Sequence, residues 1–283
     1  MVSAKLRRDS YRKLWALVER SARSFARHDM TVYATALAYR GLFALFPFTL
    51  FLVAVIGFLR VDAVLGGLAE QGPPGIRGNV PQPVASLLEQ AFGQDHGWLF
   101  LVGIALAFWS VSMGALFLTK ALNAVFEVQE TRPAWKRIAS SLTFAPSLAL
   151  AAVTAVTLML VTSRAAAWLA AWVGLDEAFV QLWTLLRWPT ALLLLALVVA
   201  AIYRYAPDED LTFRSVLPGA VVAVLSWALA SLAFSFLLTV FPVHGVAYGS
   251  LGTAISLLFY LYFSAAVLLF GAELNAELLR NAP

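Results

Sequence analysis

The residues able to perform acid–base, nucleophilic or metal chemistry are few. The chain holds three histidines and no cysteine, which excludes disulfides, thiolate metal sites and a cysteine nucleophile. His28 precedes the first apolar run, and His96 and His244 fall in connections on the opposite side of the alternating topology read below. None stands at a metal-ligand spacing from another His or Asp, and isolated loop histidines are ordinarily solvated surface residues. Phosphodiester hydrolysis needs a metal cluster, or a general acid and base, within reach of one bond. This pattern offers neither, so no enzymatic activity, metal or cofactor is expected. No glycine-rich nucleotide motif is present either, which argues against direct ATP coupling.

Charges inside apolar runs say more, because each costs at least about 2.5–3.5 kcal/mol in a bilayer. Arg40 lies about 10 Å along the first run at ~1.5 Å per helical residue. Lys120 and Asn123 lie near the end of the second run, and Glu273, Asn275 and Glu277 near the end of the last. Glu273 and Glu277 are one turn apart on one face, and acids at a helix C-terminus oppose its dipole, so a compensating partner is expected. These six residues form a candidate polar vestibule open to the cytoplasm. In it, Arg40 and Lys120 attract an anionic group, while Glu273 pairs with Arg40 or carries a coupling proton. The alternative reading is that all of them are interfacial anchors that fix topology.

A second candidate rests on small residues. Ser110, Gly114, Gly245, Gly249 and Gly252 would let backbones approach or bend. The string Tyr248-Gly249-Ser250-Leu251-Gly252 either exposes backbone N–H groups to a ligand or permits close helix packing. Pro47 removes the donor for the Phe43 carbonyl and is a candidate hinge.

The elements that position these residues follow from composition. Of 283 residues, 61% are apolar and 13% charged, and the mean hydropathy is +0.80; soluble domains average roughly 45–50% and ~25%. The fold class expected is all-α: a polytopic integral membrane bundle of six transmembrane helices, with both termini cytoplasmic and an amphipathic interfacial helix in front. The six spans run about 33–59, 98–120, 138–163, 188–205, 218–241 and 250–274, each long enough for a ~30 Å hydrocarbon core. They form one membrane domain over residues 33–279, preceded by a basic segment 1–32 without a cleavable signal and followed by a short tail 280–283. Pro189 reads as a first-turn residue of the fourth span. Residues 164–187, with Trp168 and Trp172, read as re-entrant, interfacial or a span extension.

Between Ser10 and His28, Tyr11, Leu14, Val18 and Phe25 share one helical face, and Arg12, Lys13, Arg20, Arg23 and Arg27 populate the rest. That pattern suits a helix on an anionic cytoplasmic leaflet or one packed on protein loops. Orientation follows from Lys and Arg. One side holds those of the N-terminal segment together with Lys120, Arg132, Lys136, Arg137, Arg204, Arg214 and Arg280. The other holds only Arg60, Arg77, Arg164 and Arg187, so the first is cytoplasmic. This placement in short connections is unlike the clustered basic face of a nucleic-acid binder.

Several strings resemble the YihY/BrkB family of bacterial inner-membrane proteins. They are Tyr33-Ala-Thr-Ala-Leu-Ala-Tyr39 through Leu45-Phe46-Pro47, Leu122-Asn123 with Glu127 and Arg132-Pro133, and Tyr203-Arg204-Tyr205-Ala206-Pro207. To these add Leu217-Pro218-Gly219-Ala220, Tyr248 to Gly252, and Gly271-Ala272-Glu273-Leu274-Asn275-Ala276-Glu277-Leu278. Arg40 and Ala44 depart from the family pattern, so no role at either position is inherited. The resemblance implies a bacterial inner-membrane protein; the family's names carry an old ribonuclease BN label, and some members are connected with lipid transport in the envelope. The expected function is transport of an anionic lipid, amphiphile or small anion, and the rival is a non-transporting envelope scaffold. Expected partners are membrane lipids, a second copy or an envelope protein, and no nucleic acid.

Overall fold

The computed structural model describes residues 2–58, 97–133, 136, 177–240 and 249–281, and every regular element among them is an α-helix. In chain order these are α1 (Val2–Arg27), α2 (Met30–Phe58), α3 (Gly97–Phe126), α4 (Glu177–Tyr205), α5 (Phe213–Val240) and α6 (Gly249–Arg280). Among the described residues four stretches are long and apolar enough to cross a membrane: Phe108–Phe126, Gln181–Tyr205, Phe213–Val240 and Gly252–Arg280. Along α5, Leu225, Leu229, Leu232, Phe236 and Val240 are exposed at helical spacing, an apolar stripe suited to lipid. The expected loop from Arg60, the span 138–163, residues 164–176, His96, His244, Gly245 and Tyr248 lie outside the described residues.

The helices are longer than hydropathy alone predicts. α6 continues to Arg280, so Glu273, Asn275 and Glu277 lie inside it, and a cation rather than an acid closes its last turn, as the helix dipole favours. α3 likewise carries Lys120 and Asn123 within the helix. α4 begins at Glu177, which places Pro189 in its interior instead of its first turn. The apolar residues between Phe179 and Trp188 extend the helix N-terminally past Arg187, and residues 177–187 are thereby a continuation of it. α2 passes through Pro47 as one helix.

The chain divides into two compact units, Met1–Leu42 with Ser112–Ala151 and Leu192–Pro283, and Phe43–Val111 with Ala152–Ala191. In the second unit Pro47 is buried, and the Arg187 guanidinium lies 5.7 Å from the Trp188 ring.

The first unit has a core of small and branched side chains: Met30 and Ala34 of α2, Ala121, Leu122 and Val125 of α3, Val199 and Ala200 of α4, Val216, Ala220 and Ala223 of α5, and Leu269, Ala272 and Ala276 of α6. In lipid there is no water to expel between helices, so packing and internal hydrogen bonds hold them together, and small residues permit close approach. α5 and α6 show this at Gly219 and Gly271. A Cβ at Gly219 would sit on the Gly271 carbonyl oxygen, and one at Gly271 would come within 2.6 Å of the Gly219 carbonyl oxygen. Asn275 seals the crossing: its Oδ1 accepts the Gly219 N–H at 2.7 Å and its Nδ2 donates to the Val216 carbonyl at 2.7 Å. The Tyr203 hydroxyl donates to the Leu268 carbonyl of α6.

α1 packs on α6. Ser24 Oγ donates to Glu277 Oε1 at 2.7 Å, Arg20 Nη1 to Asn281 Oδ1 at 3.2 Å, and the Phe25 and Phe270 ring centroids are 6.2 Å apart. Of the two expectations for this segment, packing on protein describes Ser21, Ser24, Phe25 and His28 in its C-terminal half, while Trp15 and Val18, nearer its N-terminus, are exposed. Asp29, with φ 53°, makes the left-handed turn from α1 into α2, a conformation that Asn and Asp tolerate better than most residues.

Candidate functional site

The polar residues expected to share one vestibule occupy two places in the first unit. Arg40, Lys120 and Asn123 line a cavity of about 610 Å³ with Tyr33, Phe117 and Glu130. α2 presents Tyr33 and Arg40 to it, and α3 presents Phe117, Lys120 and Asn123. The Arg40 guanidinium lies 4.6 Å from the Phe117 ring centroid, a cation–π contact that holds the charge without neutralising it. Lys120 is exposed. Among the described residues neither cation forms an ion pair. Glu130, the one carboxylate among the described residues of the wall, is engaged elsewhere.

Glu130 belongs to a clamp between the segment after α3 and the turn between α4 and α5. Arg132 holds it bidentately, Nε to Oε1 at 2.8 Å and Nη2 to Oε2 at 3.1 Å. The same guanidinium reaches Asp208 Oδ1 at 3.2 Å and the Ala206 carbonyl at 3.0 Å. Asp208 Oδ2 accepts from the Thr131 hydroxyl at 2.6 Å and the Thr131 N–H at 2.8 Å. Asn123 completes the clamp by donating to Glu130 Oε2 and accepting the Asp208 N–H, both at 2.9 Å. Burial works against the charge of Glu130, yet the hydrogen bonds from Arg132 and Asn123 outweigh it and hold its carboxyl below the usual range. Asp208 is lowered chiefly by the two Thr131 bonds, and bonding to Glu130 raises Arg132.

Glu273, Asn275 and Glu277 do not face that cavity. Asn275 is consumed in the α5–α6 crossing, and the two acids meet α1. His28 Nδ1 lies 2.7 Å from Glu273 Oε1, and His28 Nε2 lies 3.1 Å from Glu127 Oε1. The expected Arg40–Glu273 pair is therefore corrected: Glu273 pairs with His28, which the end of α1 carries onto α6, and Arg40 stacks on Phe117. Glu127 Oε1 also accepts from Arg280 at 2.9 Å and Arg27 at 3.4 Å. Arg280 reaches Glu277 Oε1 at 3.3 Å. Glu273 is fully buried, and its Oε2 has no partner among the described residues.

Glu127 occupies this position through a helix cap. The Val128 N–H returns to the Asn123 carbonyl at 2.9 Å and the Glu127 N–H to the Ala124 carbonyl at 3.3 Å, the paired bonds of a Schellman motif. Its φ of 57° is one that glycine usually supplies at this point. Residue-level reasoning missed His28 and Glu127 as site residues, since a cytoplasmic histidine and a polar connection look like solvated surface. The available signal was their place beside the Leu122-Asn123 string and the C-terminal acids. Of the second candidate set, Pro47 lies in the second unit, Gly249 and Ser250 open α6, and Gly252 is buried within it.

A second cavity, about 350 Å³, is apolar and lined by Leu37, Leu118, Val199, Val224, Trp227 and Leu268 among others. Leu37 is one turn from Arg40 on α2, and Leu118 is adjacent to Phe117 on α3. Among the described residues no three His, Cys, Asp or Glu side chains are grouped to hold a metal ion.

Comparison with known proteins gives a family model described as virulence factor BrkB, which matches residues 21–283. A protein of Bacillus subtilis strain 168 named as ribonuclease-like, YfkH, is 30% identical over 256 residues, covering 90% of this chain and 92% of that one. A UPF0761 membrane protein of Nitrosospira multiformis is 27% identical over 262 residues, covering 90% of this chain and 58% of its own. Another, of Chromohalobacter salexigens, is 30% identical over 275 residues, covering 94% of this chain and 63% of its own. The chain thus spans 58% and 63% of the length of these two relatives. No solved structure matches it.

Proposed function

The chain belongs to the virulence factor BrkB family, and from that premise we propose that this membrane protein binds an anionic amphiphile at the Arg40–Lys120 cavity and moves it across or within the bilayer. The observation that carries the reading is the pair of cations on one wall of a roughly 610 Å³ cavity whose carboxylate is already bound to Arg132. A phosphate or carboxylate headgroup supplies the missing counter-charge, and Arg40 is suited to hold it through a fork of donors. The apolar cavity walled by the neighbouring residues of α2 and α3 supports a ligand with a hydrocarbon portion. The reading includes six spans in a bacterial inner membrane with both termini cytoplasmic, supported by the Lys and Arg asymmetry. It also places the exposed Trp15 and Val18 of α1 against anionic lipid.

The test is reconstitution of the purified chain in liposomes, with scrambling of a fluorescent anionic phospholipid and flux of a small anion measured in parallel. Wild type moves the lipid, and an Arg40→Gln/Lys120→Gln double variant of equal yield and fold loses roughly a factor of ten or more, the size expected when charge-assisted bonds of ~1.5–3 kcal/mol are removed. Silence of wild type in both assays, with stable protein complexes recovered from membranes, would instead favour a scaffold. Anion flux without lipid movement would restrict the substrate to small anions, and nuclease activity surviving stringent purification would overturn the reading.

A further inference from the structure

We propose that His28, Glu273 and Glu127 form a proton-binding site that fastens the end of α1 to the bundle only while His28 and Glu273 together hold two protons. The inference does not depend on what the cationic cavity binds. It starts from the two contacts of one imidazole: Nδ1 lies 2.7 Å from Glu273 Oε1 and Nε2 lies 3.1 Å from Glu127 Oε1. A hydrogen bond needs one proton between its two heavy atoms, and a neutral imidazole carries only one for its two nitrogens. With Glu127, which accepts from Arg27 and Arg280, as the carboxylate, two arrangements satisfy both contacts. Either an imidazolium donates to two carboxylates, or a neutral imidazole donates from Nε2 to Glu127 while a protonated Glu273 donates to Nδ1. Each arrangement holds two protons on the His28–Glu273 pair and leaves that pair neutral.

Removal of one proton leaves a single ring proton for two contacts, so either Nδ1 faces Glu273 or Nε2 faces Glu127 lone pair to lone pair, and in both tautomers Glu273 carries a negative charge on a side chain that is 0% exposed. Among the described residues no neighbouring cation is left for it. From α1, Arg27 is turned to Glu127 and Ser24, and Arg20 to Asn281. From α6, Arg280 is shared between Glu127 and Glu277, and Glu277 adds a further negative charge. From the end of α3 comes Glu127 itself, and Asp29 lies in the exposed turn beside His28. Glu273 Oε2 has no donor among the described residues. A buried charge without a partner is strongly unfavourable, so the deprotonated pair separates, and His28 is the member able to move because it stands where α1 turns into α2. The bound ligand is a proton, and the element it positions is the basic helix α1.

The chain contains no cysteine, which allows spin labels to be placed at will. Ala26→Cys near the end of α1 and Asp210→Cys in the turn before α5 are both exposed, and double electron–electron resonance reports the distance between them. Measurements run from about pH 5 to pH 9, bracketing the ordinary imidazole value of ~6.5. The expected result is one short-distance population at the acid end and growth of a longer, broader one as pH rises. Glu273→Gln replaces the carboxylate with a neutral amide that donates to Nδ1 without any added proton, so the short distance persists at every pH. His28→Gln removes the imidazole, and its distribution, whatever its mean, no longer changes with pH. The proposal is overturned if wild type shows one distribution throughout, if Glu273→Gln keeps the wild-type response, or if His28→Gln still responds. Should the Glu273 variant fail to fold, His28→Gln alone decides.

Discussion

Gly271→Ala isolates how α5 and α6 are held. The added methyl would meet Ala223 Cβ at 2.6 Å, the Gly219 carbonyl oxygen at 2.6 Å and the Tyr203 hydroxyl at 2.7 Å. None of these is the loose end of a flexible side chain: one is backbone, one is the first atom of its side chain, and the hydroxyl is bonded to the Leu268 carbonyl. Relief requires the helices to part, which draws Gly219 and Val216 away from Asn275. Overpacking costs about 1–3 kcal/mol, two weakened polar contacts between membrane helices cost about 0.6 kcal/mol each, and the better helix propensity of alanine returns about 1 kcal/mol. The net is a destabilisation of roughly 1–3 kcal/mol. Gly114→Ala is the control, because a Cβ there has nothing within 4 Å; propensity alone predicts a change between zero and about 1 kcal/mol of added stability. Thermal unfolding in detergent, followed by tryptophan fluorescence, ranks the two. If the Gly271 variant melts at or above the Gly114 variant, close backbone approach is not what holds this crossing.

The clamp predicts an acid limb in the stability curve. Glu130 and Asp208 are held below their ordinary values, so their contribution is full above the unfolded values of about 4 and is lost as pH falls through the lower folded values. Asp208→Asn flattens that limb in unfolding curves collected between about pH 3 and pH 6; an unchanged limb would assign it to other groups. At the cap of α3, Glu127→Gly and Glu127→Ala both lose the bonds to His28, Arg27 and Arg280, but only alanine must hold the left-handed φ of 57°. Alanine is expected to be less stable than glycine by about 1–2 kcal/mol, measured by the same unfolding assay, and equal stabilities would show that the cap relaxes.

Helicity and membrane character were legible in the sequence because apolar runs are long and charges rare, signals that survive without tertiary knowledge. Helix ends were less so. Hydropathy places the end of the last span at 274, whereas α6 runs on to Arg280 and holds Glu273, Asn275 and Glu277 within the helix because each finds a partner within the protein. Arg40, Lys120 and Asn123 were picked out by the cost of polarity in an apolar run, and they share a cavity. The separation of the acids from those cations was not legible. It depends on the register at which α1 meets α6, and nothing in the local pattern around Ser24 or His28 names a partner some 250 residues away. Gly219 and Gly271 stand in strings that carry the family resemblance, but no local pattern pairs one with the other across 52 residues of chain.

The contact between α1 and α6 also orders events during synthesis. His28 and Glu273 are 245 residues apart, which at about 5–20 residues per second means that α1 is made roughly 10–50 s before its seat on α6 exists. Through that interval Ser24, Phe25 and His28 of α1 lack the α6 side chains they pack against in the folded chain. α1 is thus made long before it can dock, and a chain halted before α6 would leave the Ser24, Phe25 and His28 face of α1 without its seat.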